Sequence, residues 1–327
     1  MTFSPFFGGR SRAAHSSSRS LHCSIPRAAV ALYLASILAG CAVSTAERTA
    51  TVVHEGAALG FAPVRYGAAP PLAGMLRTSA DAAVLWVVIE GDGRAWLGMR
   101  QPSPDPTPVD AVGWRLARQV GSADATAPAT LYLARPCQYL AQAELAACSI
   151  DDWTGARFSE KWVARMNAAI DQAKQQADTK RVALAGYSGG GVMAALIAAR
   201  RTDVAALLTV GAPLDHAAWT AYHRVTPLNG SLSVVAIRQR LFDLPQVHIA
   251  GADDKIVPPM LMRDFLRAYP VGAPVRMMEL PGIDHRMRAA IDLGKLGNEA
   301  INTTRPPSHS TGGPGNDPGF PYRSRSK

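Results

Sequence analysis

Aromatic residues make up only 7% of this 327-residue chain, cysteine occurs four times, and lysine and arginine never gather into a run of five or more. Without a basic run, or a basic helix interleaved with aromatics, the formal charge of +9 is dispersed, which argues against nucleic acid as a partner. An anionic membrane surface or cell wall suits the same charge. A comfortable membrane span is also missing: the apolar segment Ala28–Cys41 (AAVALYLASILAGC) falls short of the roughly 20 residues that a bilayer requires. No histidine lies between or near Cys137 and Cys148, so that neighbourhood lacks the ligands of a metal site, and neither metal nor cofactor is expected. There is no internal repeat. A hydrophobic content of 48% over this length fits one α/β domain of ordinary size and leaves little for a second.

What is present begins with an export signal. Arg10, Arg12, Arg19 and Arg27, with no acidic residue among them, precede the short apolar segment, the pattern of a secretory leader. Its end, Leu38-Ala39-Gly40-Cys41, resembles the bacterial lipoprotein signal, in which the cysteine takes a diacylglyceryl thioether; the plainer reading is an ordinary signal peptide with an accidental cysteine. Lipidation of Cys41 would anchor the mature chain in the cell envelope. Ala42 in place of an aspartate favours the periplasmic face of the outer membrane. The expected organisation is a signal peptide over 1–40, an Ala- and Gly-rich tether over 41–60, a folded domain over 60–296, and a disordered Thr-, Pro-, Ser- and Gly-rich tail over 297–327.

Removing the signal deletes Cys23, and lipid on Cys41 leaves Cys137 and Cys148 as one even pair. A disulfide is the simple outcome in an oxidising compartment, and closing a loop of about a dozen residues contributes up to roughly 3 kcal/mol in the chain-entropy model. Two independent buried thiols are the alternative.

Short apolar runs at Ala83–Ile89, Thr130–Ala134, Val182–Ala185, Ala205–Val210, Gln246–Ala250 and Val275–Leu280 read as strands buried on both faces. Helical spacing occupies Ser159–Ala177, Gly190–Arg201 and Pro259–Tyr269. Such alternation predicts a mostly parallel central sheet with helices on both faces. In such a sheet, residues just beyond the carboxyl ends of strands face the ligand crevice. Gly186-Tyr187-Ser188-Gly189-Gly190 stands there, at a strand-to-helix turn, and matches G-x-S-x-G, the elbow that displays a nucleophilic serine. A glycine-rich helix start that packs tightly or binds an anion is the competing reading.

A serine hydroxyl needs a base to take its proton and an acid to orient that base. Of eight histidines, only His285 and His309 follow the late strands, and His309 lies in the tail. That leaves His285, in Pro281-Gly282-Ile283-Asp284-His285, as the base. Asp215, Asp253, Asp254 and Asp284 remain candidates for the acid.

The segment from about Ala80 to Met287 resembles the α/β-hydrolase superfamily in four motifs taken in order. These are Ile89-Glu90-Gly91-Asp92-Gly93 for the oxyanion loop, the elbow, Gly251-Ala-Asp-Asp-Lys-Ile-Val-Pro258 for the acid loop, and Pro281–His285 for the histidine loop. IEGDGRAW, ARPCQYL and WTGARFS are similar to a group of bacterial envelope members. The resemblance implies the α/β-hydrolase fold, a Ser188, Asp254 and His285 triad, and an oxyanion hole built from the N–H groups of Gly189 and Asp92. Glu90 departs from the histidine that many relatives carry. A bare Asp92 carboxylate beside an oxyanion would be unhelpful, so its side chain is expected to turn away. The implied activity is serine-hydrolase cleavage of a small-molecule or lipid ester, or a related acyl bond. A non-catalytic envelope binding protein and an acyltransferase with the same triad are the alternatives. The segment Arg94–Ala127 and the insertion Leu214–Arg240 are expected to rim the crevice, with Trp96, Trp219, Tyr187 and Tyr222 as candidate apolar contacts.

Overall fold

A computed structural model describes residues 43–98, 100–120 and 128–303. The signal segment and Cys41 lie outside the described residues. In chain order the strands are β1 (Ala62–Tyr66), β2 (Leu72–Arg77), β3 (Val84–Ile89), β4 (Thr130–Leu133), β5 (Arg181–Tyr187), β6 (Val204–Val210), β7 (Gln246–Gly251) and β8 (Val275–Leu280). The helices are α1 (Thr45–Ala57), α2 (Val112–Gln119), α3 (Gln142–Leu145), α4 (Glu160–Gln176), α5 (Gly189–Ala198), α6 (His216–His223), α7 (Pro259–Leu266) and α8 (Leu293–Thr303).

Alternation along β3 shows why helices cover both faces. Leu85, Val87 and Ile89 point into one apolar cluster with Trp162, Met166 and Ile170 of α4 and Val192 and Leu196 of α5. Trp86 and Val88 point into a second with Val52 of α1, Trp114 and Leu116 of α2 and Leu293 of α8. A strand buried on both sides has no polar register, which is why these runs read as continuous apolar stretches. The eight strands form one sheet in the order β1-β2-β4-β3-β5-β6-β7-β8. β2 is antiparallel to both of its neighbours, and every pair from β4 through β8 is parallel. The carboxyl ends of β3, β5, β7 and β8 therefore open on the same edge, and the loops that leave them can meet.

α4 follows its sequence pattern closely. Trp162, Val163, Met166, Ala169, Ile170 and Ala173 recur at helical spacing and form its buried stripe. Burying each of the larger side chains contributes about 1.5–3 kcal/mol. Cys137 and Cys148 are joined by a disulfide.

Two expected boundaries are corrected. Residues 45–57, read as part of a tether, form α1, nucleated by a capping box in which Ser44 and Glu47 satisfy each other's backbone N–H groups. Arg48 then ties the helix to Thr107 O (2.6 Å), and Val52 and Gly56 are its buried residues. Its few apolar residues among Thr, Ala and Glu hid this helix from a periodicity argument. The expected tail also begins too early, because α8 continues to Thr303 with Gly297 pressed on the indole of Trp86, where a Cβ would overlap the ring. Only residues 304–327 of that tail lie outside the described residues. β2 lies where the sequence predicts no element, and α2 and α6 lie within the two expected rim segments. No helix among the described residues is long and apolar enough to cross a membrane.

Candidate functional site

β5 ends at Tyr187 and the chain turns at once into α5, with Ser188 as the turn residue. Ser188 has φ 49° and ψ −123°, a positive φ that residues with side chains rarely adopt. Such a turn closes only with glycine on both sides. A Cβ at Gly186 would overlap the backbone of Gly190 and Gly191, and one at Gly190 would overlap the carbonyls of Ile89 and Glu90. These close approaches are the physical content of the G-x-S-x-G spacing. The Ser188 N–H donates to Val210 O (2.8 Å), which pins the turn to the end of β6.

The loop after β7 brings Asp254, and the loop after β8 brings His285. His285 Nδ1 lies 2.7 Å from Asp254 Oδ2, and its Nε2 lies 3.2 Å from Ser188 Oγ. Asp254 is buried, and its other oxygen accepts the N–H groups of Ile256 (2.8 Å) and Val257 (2.7 Å). A carboxylate only accepts, so Nδ1 carries the ring proton and Nε2 is left with a lone pair towards the serine hydroxyl. Tyr187, next to the serine, donates its hydroxyl to His285 O (2.8 Å) and packs its ring against the imidazole at 5.2 Å. The other acid candidates are engaged elsewhere or exposed. Asp215 caps α6 through Ala218 N–H (2.9 Å), Asp284 accepts Arg286 N–H (3.0 Å) within its own loop, and Asp253 is exposed.

The Gly91–Gly93 turn lies against the start of α5: a Cβ on Gly189 would collide with the Asp92 carboxylate. Among the described residues, the N–H of Asp92 has no acceptor, and that of Gly189, at the first position of α5, has no carbonyl four residues back within its helix. Contrary to expectation, the Asp92 carboxylate does not turn away but lies against Gly189 in the wall of the cleft, where two buried arginines neutralise it, Arg135 Nη1 at 2.9 Å and Arg157 Nη1 at 2.5 Å. Burial works against the charged form of Asp92, but the two guanidinium groups outweigh it and hold the carboxyl below its usual range. Gln138, beside the disulfide, donates to Gly91 O (3.0 Å) and accepts Arg135 N–H (3.0 Å), so the loop after β4 braces the turn.

Above Ser188 and His285 lies an open cleft of about 460 Å³, walled by Trp96, Val109, Tyr187 and Trp219. Both expected rim segments contribute, Trp96 and Val109 from the first and Trp219 from the second. Tyr222 instead stands exposed and edge-on to His223.

No protein-family model matches the chain, and no curated protein matches its sequence. Its backbone does match solved structures. An α/β serine hydrolase without a lid from Xanthomonas campestris is 18% identical, with 74% of this chain and 94% of that one aligned at a TM-score of 0.47. An α/β serine hydrolase homologue from Coxiella burnetii is 16% identical, with 74% and 96% aligned at 0.47. A 2,6-dihydroxy-pseudo-oxynicotine hydrolase is 12% identical, with 79% and 72% aligned at 0.53. The chain has the α/β-hydrolase fold.

Within that fold, Glu90 is the residue that sequence reasoning understood least. It is fully buried, and its carboxyl group accepts from the N–H groups of Gly91 (2.8 Å), Gly113 (3.0 Å) and Trp114 (3.2 Å) and from the hydroxyl of Tyr132 (3.0 Å). Gly113 and Trp114 belong to the first turn of α2, whose N–H groups have no helical partner, so Glu90 caps that helix from across the sheet edge. Burial pushes its pKa up, against the pull of these four donors. Glu90→Ala would strip the three N–H groups of their acceptor and leave the Tyr132 hydroxyl only the longer bond to Tyr139 Oη (3.3 Å), at about 1–3 kcal/mol for each buried unsatisfied group. The expected result is a loss of about 3 kcal/mol or more in unfolding free energy, measured by urea titration; a loss under about 1 kcal/mol would show that the donors find other partners.

Proposed function

We propose that this chain is a lipid-anchored serine hydrolase that cleaves an ester or related acyl bond through an acyl-enzyme. The observation that carries the reading is the imidazole of His285 held between Asp254 and Ser188, with each ring nitrogen committed to one partner. Ser188 Oγ attacks the acyl carbon while its proton passes to His285 Nε2. Asp254 then stabilises the imidazolium and keeps its orientation. The carbonyl oxygen gains negative charge, and the N–H groups of Gly189 and Asp92 are assigned to receive it; one such donor is commonly worth about 3–4 kcal/mol. Collapse of the intermediate breaks the bond to the leaving oxygen, which takes the proton from Nε2. Water, deprotonated by the same nitrogen, adds to the acyl-enzyme and releases the acid, returning the proton to Ser188 Oγ.

A fluorophosphonate probe tests the assignment directly. The full chain should gain one adduct, located by peptide mass mapping to the fragment that contains Ser188; an unlabelled chain, or an adduct elsewhere, would overturn it. The anchor rests on Leu38-Ala39-Gly40-Cys41 and is tested separately. Cys41→Ser should leave unprocessed precursor or release the protein from membranes on fractionation. A variant that sediments with membranes as the wild type does would refute lipidation of Cys41.

A further inference from the structure

Among the described residues, two neighbouring cavities that open on Ser188 differ in size and in their relation to His285. The larger, of about 460 Å³, has His285 in its wall. The smaller, of about 30 Å³, is lined by Phe158, Pro213, His216, Leu228 and Val257 next to Ser188, and His285 does not line it. A water-sized atom needs roughly 10–15 Å³ by this measure, so the smaller cavity holds about two non-hydrogen atoms.

The chemistry decides which part of an ester enters which cavity. The leaving oxygen must take its proton from His285 Nε2, so the alcohol portion lies in the cavity that His285 lines. The acyl carbon is bonded to Ser188 Oγ, and its carbonyl oxygen is turned to the backbone donors. That leaves the small cavity for its remaining substituent, since this cavity adjoins the large one through Ser188, Trp219 and Ile256 but lacks His285. We infer that the site selects short acyl groups, acetyl or propionyl, carried on bulky alcohols with apolar surface. This inference rests on Ser188 being the nucleophile.

The walls support a fixed size. Phe158 is fully buried; its N–H donates to Ser231 Oγ (3.1 Å) and its carbonyl accepts Leu232 N–H (3.0 Å), so the loop that follows α6 is laced to it. Leu228 is the one buried residue between 221 and 230 and roofs the cavity from that loop. The charged groups in the wall, Asp92 and Arg157, are bonded to each other, which suits an alkyl group better than a carboxylate. The large cavity is different in kind: Trp96 and Val109 are exposed around its mouth and offer apolar area to a wide leaving group.

The experiment is a kcat/KM series on p-nitrophenyl esters from acetate to decanoate with the full chain, repeated for Leu228→Ala and Phe158→Leu, each checked for fluorophosphonate labelling. The wild type should be fastest on acetate or propionate and at least about tenfold slower on hexanoate, the range in which a few misfit methylenes act. Leu228→Ala should raise the hexanoate-to-acetate ratio at least about fivefold, and Phe158→Leu should move it the same way if the first variant does not fold. A wild type that takes hexanoate or longer esters as well as acetate overturns the inference while leaving the nucleophile intact. So does a ratio that stays put in variants that still take the probe. A chain that neither labels nor cleaves any ester overturns the nucleophile and this inference with it.

Discussion

Ser188→Ala is expected to lower kcat for ester hydrolysis by about 10⁶-fold and to abolish phosphonate labelling, as loss of the nucleophile does in other serine hydrolases. The size follows from the way the site is built. His285 Nε2 has Ser188 Oγ as its partner, and without that hydroxyl it can only activate water placed where no group holds it. What survives is the contribution of the backbone donors and of substrate binding, worth about 10³ to 10⁴ over the reaction in water. Alanine keeps a Cβ at the same positive φ, so the turn is not relieved and the fold should persist, as judged by circular dichroism and the melting temperature. Steady-state rates at high enzyme concentration measure the loss. A variant that keeps more than about a hundredth of the activity would exclude Ser188 as the nucleophile.

Asp254→Asn should lower kcat by about 10³- to 10⁴-fold with little change in KM for a simple ester. In this site the mechanism of the loss can be followed atom by atom. Oδ1 of Asp254 accepts two backbone N–H groups, from Ile256 and Val257, so asparagine must leave its carbonyl oxygen there. Its NH₂ then faces His285 Nδ1, which can pair with it only by giving up its proton. The ring is left with hydrogen on Nε2, facing Ser188, and cannot act as the base. Asp215→Asn keeps a helix cap on α6 and Asp253→Asn alters an exposed side chain, so both should stay within about tenfold of wild type, roughly 1.4 kcal/mol in barrier. The opposite ranking, with Asp215→Asn nearly dead and Asp254→Asn active, would move the acid to the strand after the nucleophile.

The residues that could be read from the sequence are those whose spacing is dictated by backbone geometry. Gly186 and Gly190 flank Ser188 because strand and helix leave no room for a Cβ, and that constraint is local. Five of the strands were visible as apolar runs because both faces of the sheet are covered there; β8, expected to be buried on both faces, is instead an edge strand with no fully buried residue and shows only through its Val, Met and Leu. β2 was not visible, since Gly74 and the prolines before it mask its pattern. The supports of the site were equally hidden. Arg135 and Arg157 reach Asp92 from 43 and 65 residues away, and Glu90 meets α2 from 23. Nothing local marks a buried arginine as the partner of a distant carboxylate. The assignment of Asp254 over its neighbours came from resemblance, and composition alone left four candidates. The reason for the choice is spatial: of the four, only Asp254 is bonded to His285.

Ser188 also separates what stabilises this protein from what would make it work. A side chain held at φ 49° and ψ −123° costs on the order of 1–3 kcal/mol, against a total stability of about 5–15 kcal/mol for an ordinary domain. The surrounding hydrogen bonds, from Ser188 N–H to Val210 O and from Gly191 N–H to Ser188 O, force the residue to keep that conformation instead of relaxing. Glycine at position 188 would occupy the same angles without the penalty. Selection for thermal stability alone would therefore drive this position towards glycine and remove the hydroxyl, so stability and the proposed chemistry pull one residue in opposite directions.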